Sequence, residues 1–401
     1  MENKNDAGTA GSKLLLAILI AITAIGPAST QFLLPAMPAI QADFGTTTAT
    51  VQIALSGAFF ALAFSELAYG PWSDRSGRRP VVIFGLALYL IGNAVCIVAP
   101  NVEVLIAGRV VQACGGAVGL VLSRAIAVDV YGADKAASVV ALTTAAMALA
   151  PLLAPTAGGL LTDHLGWRST FVFQVAIGAV VLLAVVLRMS ETNTSPSKNM
   201  DFFAMFRWFG KMMGDRAFAS YSLNAAFTMG VFFSFISGAP HVTQKLMGRD
   251  ATEFGLWFMI VAAGYVVGNL TSAKIADRVG ARRMVLIGSS LGLTAIATMA
   301  GGLKFGGWEP LAMFLPGGFT ALAAGLALPS AQVKAIGRFP EVAGTASALI
   351  GFLVLMGGAV MSQIVGMIQN ATPYPMVAAM GGLSFLALAV LVLRPADDGA
   401  A

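Results

Sequence analysis

Charge is what this sequence is short of. Only 11% of its 401 residues are Asp, Glu, Lys or Arg, against roughly 25% in soluble globular domains, while 57% are hydrophobic and the mean hydropathy is +0.82. A water-soluble domain is excluded by that balance. Cysteine is nearly absent: Cys96 and Cys114 each sit inside an apolar run, spaced for neither a disulfide framework nor a metal site, and read as small buried side chains. The two histidines, His164 and His241, fall between apolar runs without ligand spacing. A phosphate-cradling Gly-x-x-x-x-Gly-Lys-Ser/Thr is missing, since Gly210-Lys211 is followed by Met212, which argues against an ATP-driven pump. No nucleophile, base and acid set is legible, so an enzyme is not expected, and neither is a cofactor or a bound metal.

What is present is a succession of apolar runs. The first, 14–34, approaches the ~20 residues that span a bilayer and is followed by more of its kind, so it reads as a permanent helix and not a cleaved signal. Spans are expected at 14–34, 50–69, 81–99, 104–127, 138–161 and 168–187, then at 217–238, 254–273, 284–303, 310–332, 343–368 and 375–393. The fold class is therefore an all-α integral membrane protein of twelve transmembrane helices in two six-helix bundles, 14–187 and 217–393. A tail at 1–13, a linker at 188–216 with a short amphipathic surface helix at 201–213, and a tail at 394–401 complete the chain. The net charge of +5 does not point to nucleic acid, because the cations lie in short loops. With the N-terminus inside, eighteen Lys and Arg fall in inner segments and four in outer loops, which sets both termini in the cytoplasm. The other two, Arg109 and Arg124, lie within the fourth span.

One charged stretch recurs. Gly70-Pro71-Trp72-Ser73-Asp74-Arg75-Ser76-Gly77-Arg78-Arg79-Pro80 returns, worn, as Ala273-Lys274-Ile275-Ala276-Asp277-Arg278-Val279-Gly280-Ala281-Arg282-Arg283. Asp74 to Asp277 and Gly77 to Gly280 share an offset of 203 residues, about half the chain, which indicates two homologous membrane halves. Gly70-x-x-x-Asp74-Arg75-x-Gly77-Arg78-Arg79 after the second span resembles the cytoplasmic loop motif of the major facilitator superfamily. Asp129, at the inner end of the fourth span with Arg124 about one turn earlier, is expected to partner the loop arginines in an inner latch.

Further stretches narrow the resemblance. Arg109-x-x-Gln112-Ala113-Cys114-Gly115 is similar to the family's fourth-helix motif, with Ala113 in place of a glycine. Pro151-Leu152-Leu153-Ala154-Pro155-Thr156-Ala157-Gly158-Gly159 resembles the motif associated with antiporters, with Ala154 where a glycine is usual. Leu34-Pro35-Ala36-Met37-Pro38, Gly166-Trp167-Arg168 and Pro340 to Ala348 together look like the bicyclomycin and chloramphenicol resistance type of drug:proton antiporter. The resemblance implies a multi-pass protein of the bacterial inner membrane, acting as a monomer, that exports small amphipathic drug-like compounds against protons. A facilitator of one small metabolite is the alternative, and it gains weight because Gln31 stands where such antiporters commonly carry an acid in the first span.

An arginine within an apolar helix is costly unless it faces a bundle interior or a wet cavity, so Arg109 is a candidate site residue, with Gln112 on the same face. The other substrate candidates are Gln31, Phe32, Asn224, Phe227, Met229 and Phe233, placed between the halves near the midplane; aromatic and methionine side chains adapt to varied apolar shapes. Of the nineteen acidic residues, Glu66 alone falls within an apolar run, and it is the leading choice for proton exchange. Facing water or pairing with a loop arginine is its equally weighted alternative.

Overall fold

The computed structural model describes residues 3–193 and 202–393. Lipid offers no partners to a polar backbone, so each apolar run closes its own hydrogen bonds as a helix. The elements are α1 Asn3–Leu33, α2 Met37–Asp43, α3 Thr48–Ser76, α4 Arg78–Ile97, α5 Val102–Leu165, α6 Arg168–Arg188, α7 Phe202–Gly214, α8 Arg216–His241, α9 Ala251–Val279, α10 Ala281–Phe305, α11 Pro310–Ile336, α12 Ala343–Ile368 and α13 Tyr374–Leu393. Among the described residues, eleven helices are long and apolar enough to cross a membrane. The expected fifth span, 138–161, is the second arm of α5, and several of its side chains lie outside the described residues. So do the tail at 394–401 and the linker residues 194–201.

Three boundaries differ from expectation. Helix α1 begins at Asn3, inside the stretch expected as a tail, because no proline interrupts it before Pro27 and the helix can propagate back. Beyond Leu33 the chain stays helical through a 3-10 turn, Leu34–Ala36, and α2, since Pro35 and Pro38 occupy first-turn positions where a missing N–H costs nothing. The loop expected between the fourth and fifth spans is reduced to one non-helical residue, Gly132, with φ 72° and ψ 163°.

The duplication is legible residue by residue. Helix α9 starts and ends 203 positions after α3, and α10 starts 203 after α4. Caps correspond too: Thr47 Oγ1 accepts from Thr50 N at 3.2 Å, and Asp250 Oδ1 accepts from Glu253 N at 2.6 Å. Each hinge closes with the same bond, Gly77 N to Ser73 O at 3.0 Å and Gly280 N to Ala276 O at 2.8 Å.

The cores show how the halves meet. At the end away from the chain termini, residues of both halves share one core, including Leu34, Leu55, Phe59 and Phe171 from the first and Phe233, Phe235, Phe254 and Phe314 from the second. Toward the terminal end, the first half packs mainly on itself around Ile22, Tyr69, Leu86 and Leu122, with Leu355 of α12 touching that core from the other half. The second half packs on itself around Phe218, Val285, Ala327 and Leu349. Helix α7 joins that second core through Met212, with Trp208 against Phe339 at 6.4 Å between ring centroids. The halves are thus zipped at the distal end and separately packed at the terminal end.

Hydrogen bonds across the zipped end are specific. Gln52 Nε2 donates to Ser362 Oγ at 2.7 Å, Ser56 Oγ to Gln363 Oε1 at 2.9 Å and Gln244 Nε2 to Pro35 O at 2.9 Å. Asp163, at the end of α5, caps α9 of the other half: it accepts from Thr252 N at 2.7 Å, Thr252 Oγ1 at 2.6 Å and Ala251 N at 3.3 Å.

Candidate functional site

The charged hinge forms a closed network. Positive φ at Gly77, 95°, turns the chain from α3 into α4, and Arg78 follows as the first residue of the new helix. Its guanidinium donates from Nε to Asp129 Oδ2 at 3.0 Å, and from Nη1 to Asp74 Oδ1 at 2.5 Å and Ser73 Oγ at 2.6 Å. One cation therefore serves two carboxylates on α3 and α5, and Arg78 is the loop arginine that meets Asp129. Arg75 is exposed and makes no ion pair among the described residues. Arg79 Nη2 donates to Val186 O at 2.8 Å, and Gly70 lies against Val121 of α5.

Sequence reasoning missed the residue that locks this network to the linker. Glu191 accepts from Arg78 N at 2.8 Å and Arg79 N at 3.1 Å, so a carboxylate sits on the open N–H groups and positive dipole end of α4. Partial burial works against its charged form, but backbone N–H groups of Asn193, Arg78, Arg79 and Thr192 outweigh that and hold its carboxyl below the ordinary glutamate value. Asn193 Nδ2 adds a bond to Asp74 O at 2.9 Å. The available signal was a single Glu followed by two small polar residues just beyond the sixth span. In the second half Ala281 replaces Arg78, so the hinge geometry is kept without its cation.

The fourth-span motif points into its own bundle. Arg109 is 1% exposed and Gln112 0%. Arg109 Nη1 donates to Gln112 Oε1, Gln112 Nε2 donates to Asn93 Oδ1 at 2.6 Å and Gln174 Oε1 at 2.9 Å, and Tyr89 OH donates to Gln174 Oε1 at 3.2 Å. Gly92 and Gly108 let α4 and α5 approach until a Cβ on Gly92 would stand 2.3 Å from Gln112 N, which turns this face toward α4 and α6. The other candidates scatter similarly. Phe32 packs on Phe173 of α6 at 5.4 Å, and Asn224 donates to Ser289 Oγ at 3.0 Å and Ala387 O at 2.8 Å inside the second bundle. Phe227 and Met229 are partly buried beside the cores. Phe233 crosses to the other half, its ring 4.5 Å from that of Phe59. The eight substrate candidates therefore do not line one chamber here. A small crevice of about 20 Å³ lies within the second bundle, lined by Thr228, Ser289, Thr320 and Ser384 among others.

The proline-rich motif lies on the seam. Pro155 is buried, and the backbone at Pro155 and Thr156 meets Gly255 of α9. A Cβ on Gly159 would stand 2.3 Å from Ala251 O, and one on Gly158 would stand 2.5 Å from Phe32 O. Both glycines permit backbone contact, the first of them between the halves.

Residues 19–360 match the family model described as Major Facilitator Superfamily, which covers more than half the chain. The chain belongs to the Major Facilitator Superfamily. It is 30% identical over 391 residues to YdgK of Bacillus subtilis strain 168, described as an uncharacterized MFS-type transporter, covering 95% of this chain and 96% of that protein. It is 26% identical to a bicyclomycin resistance protein homolog of Haemophilus influenzae, over 93% and 94% of the two chains. The bacterial homolog of the human lysosomal transporter Spinster, solved inward-facing and occupied, superposes with a TM-score of 0.77 at 18% identity, covering 96% of each chain. That likeness concerns the fold.

In this superfamily member Glu66 occupies the wall between the halves. It is partly buried and has no hydrogen bond or ion pair among the described residues. Its Oε2 would lie 3.6 Å from a Cβ on Gly351 of α12, so the carboxylate faces the opposite half at closest approach. Two residues earlier, Phe64 meets Phe352 at 5.4 Å. The loop arginines are engaged elsewhere or exposed, and pairing with them is not what the structure shows. Arg124 is exposed toward the terminal end and forms no ion pair with Glu66, but its charge reaches the Glu66 carboxylate.

Proposed function

We propose that this chain is a secondary active exporter of small amphipathic compounds, working by alternating access in exchange for protons across the bacterial inner membrane, with both termini in the cytoplasm. The arrangement of the cores carries the reading. One core shared at the distal end and two separate cores at the terminal end make a two-bundle rocker with its cytoplasmic side parted. Latch residues Asp74, Arg78 and Asp129 then bound that side, and the seam at Pro151 to Gly159 is the pivot surface. Glu66 takes the proton role because it is the acidic group in an apolar span, makes no hydrogen bond or ion pair among the described residues although the charge of Arg124 reaches it, and abuts the half that must move. Drug export rests on the motif pattern and on the likeness to the bicyclomycin resistance homolog and to a chloramphenicol resistance protein of Pseudomonas aeruginosa.

The test is a reconstituted-vesicle assay in which an imposed pH gradient drives labelled chloramphenicol, beside a no-gradient control. Gradient-dependent accumulation in wild type and its loss in Glu66→Gln is the expected result. Flux that ignores the gradient in wild type favours the second reading, a facilitator of one metabolite, which the untitratable Gln31 supports. Undiminished antiport by Glu66→Gln relocates the proton site.

A further inference from the structure

Among the described residues, Arg109 is a buried cation without an anion. Its guanidinium is 1% exposed, and Nε and Nη2 have no hydrogen-bond partner. The side chains that surround it are neutral: Gln112, which accepts its one bond, then Asn93, Gln174 and Tyr89 in the same network, with Cys96 beside Gly108. Desolvating an ion costs several kcal/mol unless a counter-charge and filled hydrogen bonds compensate it, and neither is supplied among the described residues. Glu66 is too far to serve. Arg109 lies seven residues into α5 and Glu66 eighteen into α3, and both helices start at the distal end, so at 1.5 Å per residue they differ in depth by about 16 Å.

Helix α1 supplies the fourth side of this site. Running antiparallel to α5, it meets it backbone to backbone at Gly119 with Ile22 and at Gly116 with Gly26. One to two further turns bring Gln31 to the level of Arg109 and Gln112. Gln31 is itself 6% exposed, with Oε1 unpartnered. Two incompletely satisfied polar side chains from α1 and α5 thus stand at one height in an apolar interior. Such groups are normally paired or hydrogen-bonded.

We infer that the site between Gln31 and Arg109 takes a monovalent anionic group, which completes the guanidinium's hydrogen bonds through Nε and Nη2. The group is either an inorganic halide held as a resident ion or the carboxylate of a transported solute. The inference deepens the transporter reading by naming a ligand class for Arg109, but its test needs no gradient and no flux. Full-length protein in detergent is titrated with 36Cl− and, separately, with 14C-benzoate, and bound label is counted on captured protein. Saturable binding of either label near one per chain, reduced at least tenfold in Arg109→Gln, supports the inference. A chloride signal identifies a resident ion and a benzoate signal a solute carboxylate. Gln31→Glu, which places a fixed carboxylate at the same height, must also reduce binding at least tenfold and serves if Arg109→Gln does not fold. Absence of both labels from wild type, or retained binding in either variant, overturns the inference. Proton-coupled flux can fail in vesicles while anion binding persists, so the two proposals fail separately.

Discussion

Asp163→Ala removes a carboxylate that reaches from the first half to cap a helix of the second. The side chain accepts two hydrogen bonds shorter than 2.8 Å and one of 3.3 Å from Ala251 and Thr252. Asp250 already caps α9 within its own half, so the helix survives and the loss falls on the seam between halves. A side-chain cap contributes about 1 kcal/mol, and the site is exposed, so solvent screening holds the effect at that level. About 1 kcal/mol corresponds to a roughly fivefold shift in the equilibrium between distally closed and distally open states. Spin labels at Ala42→Cys and Lys245→Cys, with Cys96 and Cys114 replaced by alanine, report the distance between the halves at that end by pulsed electron resonance. The long-distance population should rise about fivefold in Asp163→Ala. Asp43→Ala is the control, because Asp43 binds Arg168 and Trp167 inside the first half. An unchanged ratio in Asp163→Ala, or an equal shift in the control, refutes the reasoning.

Two further outcomes follow from the hinge. Glu191 has a carboxyl held below its ordinary value of 4.5, so its contribution is complete above that pH and is lost as pH falls through the lower folded-state value. The unfolding midpoint of wild type should exceed that of Glu191→Gln at neutral pH and converge with it in acid; a gap that widens in acid contradicts the assignment. Gly77→Ala meets both a positive φ and the Glu191 carboxylate, 2.6 Å from the new Cβ, whereas Gly280→Ala meets a similar φ with nothing within 4 Å. Backbone strain of about 1–3 kcal/mol is common to both, so thermal unfolding should rank Gly77→Ala as the more damaging, and equal costs would remove Glu191 from the account.

The hinge and the duplication were legible in the sequence because turn chemistry is local: a glycine that must adopt positive φ and the aspartate before it keep their spacing wherever the helices go. The spans were legible for a similar reason, as apolar length alone dictates them. Side-chain direction was not. Nothing in Arg109-x-x-Gln112 says whether that face turns to the other half or to α4, and the deciding contact, Gly92 against Gln112, lies twenty residues upstream. Glu191 escaped because its partners are backbone N–H groups, which leave no mark on composition. The missing loop at Gly132 escaped because a short polar stretch reads the same whether it coils or merely bends.

That bend gives α5 the form of a crank. Its far arm touches the other half at Gly159, its near arm carries Arg109 and ends at Asp129, and a single residue joins the two with no slack between them. In the proposed rocking mechanism, displacement at the seam would reach the Asp129 end as torque through one joint, instead of being absorbed by a floppy connector.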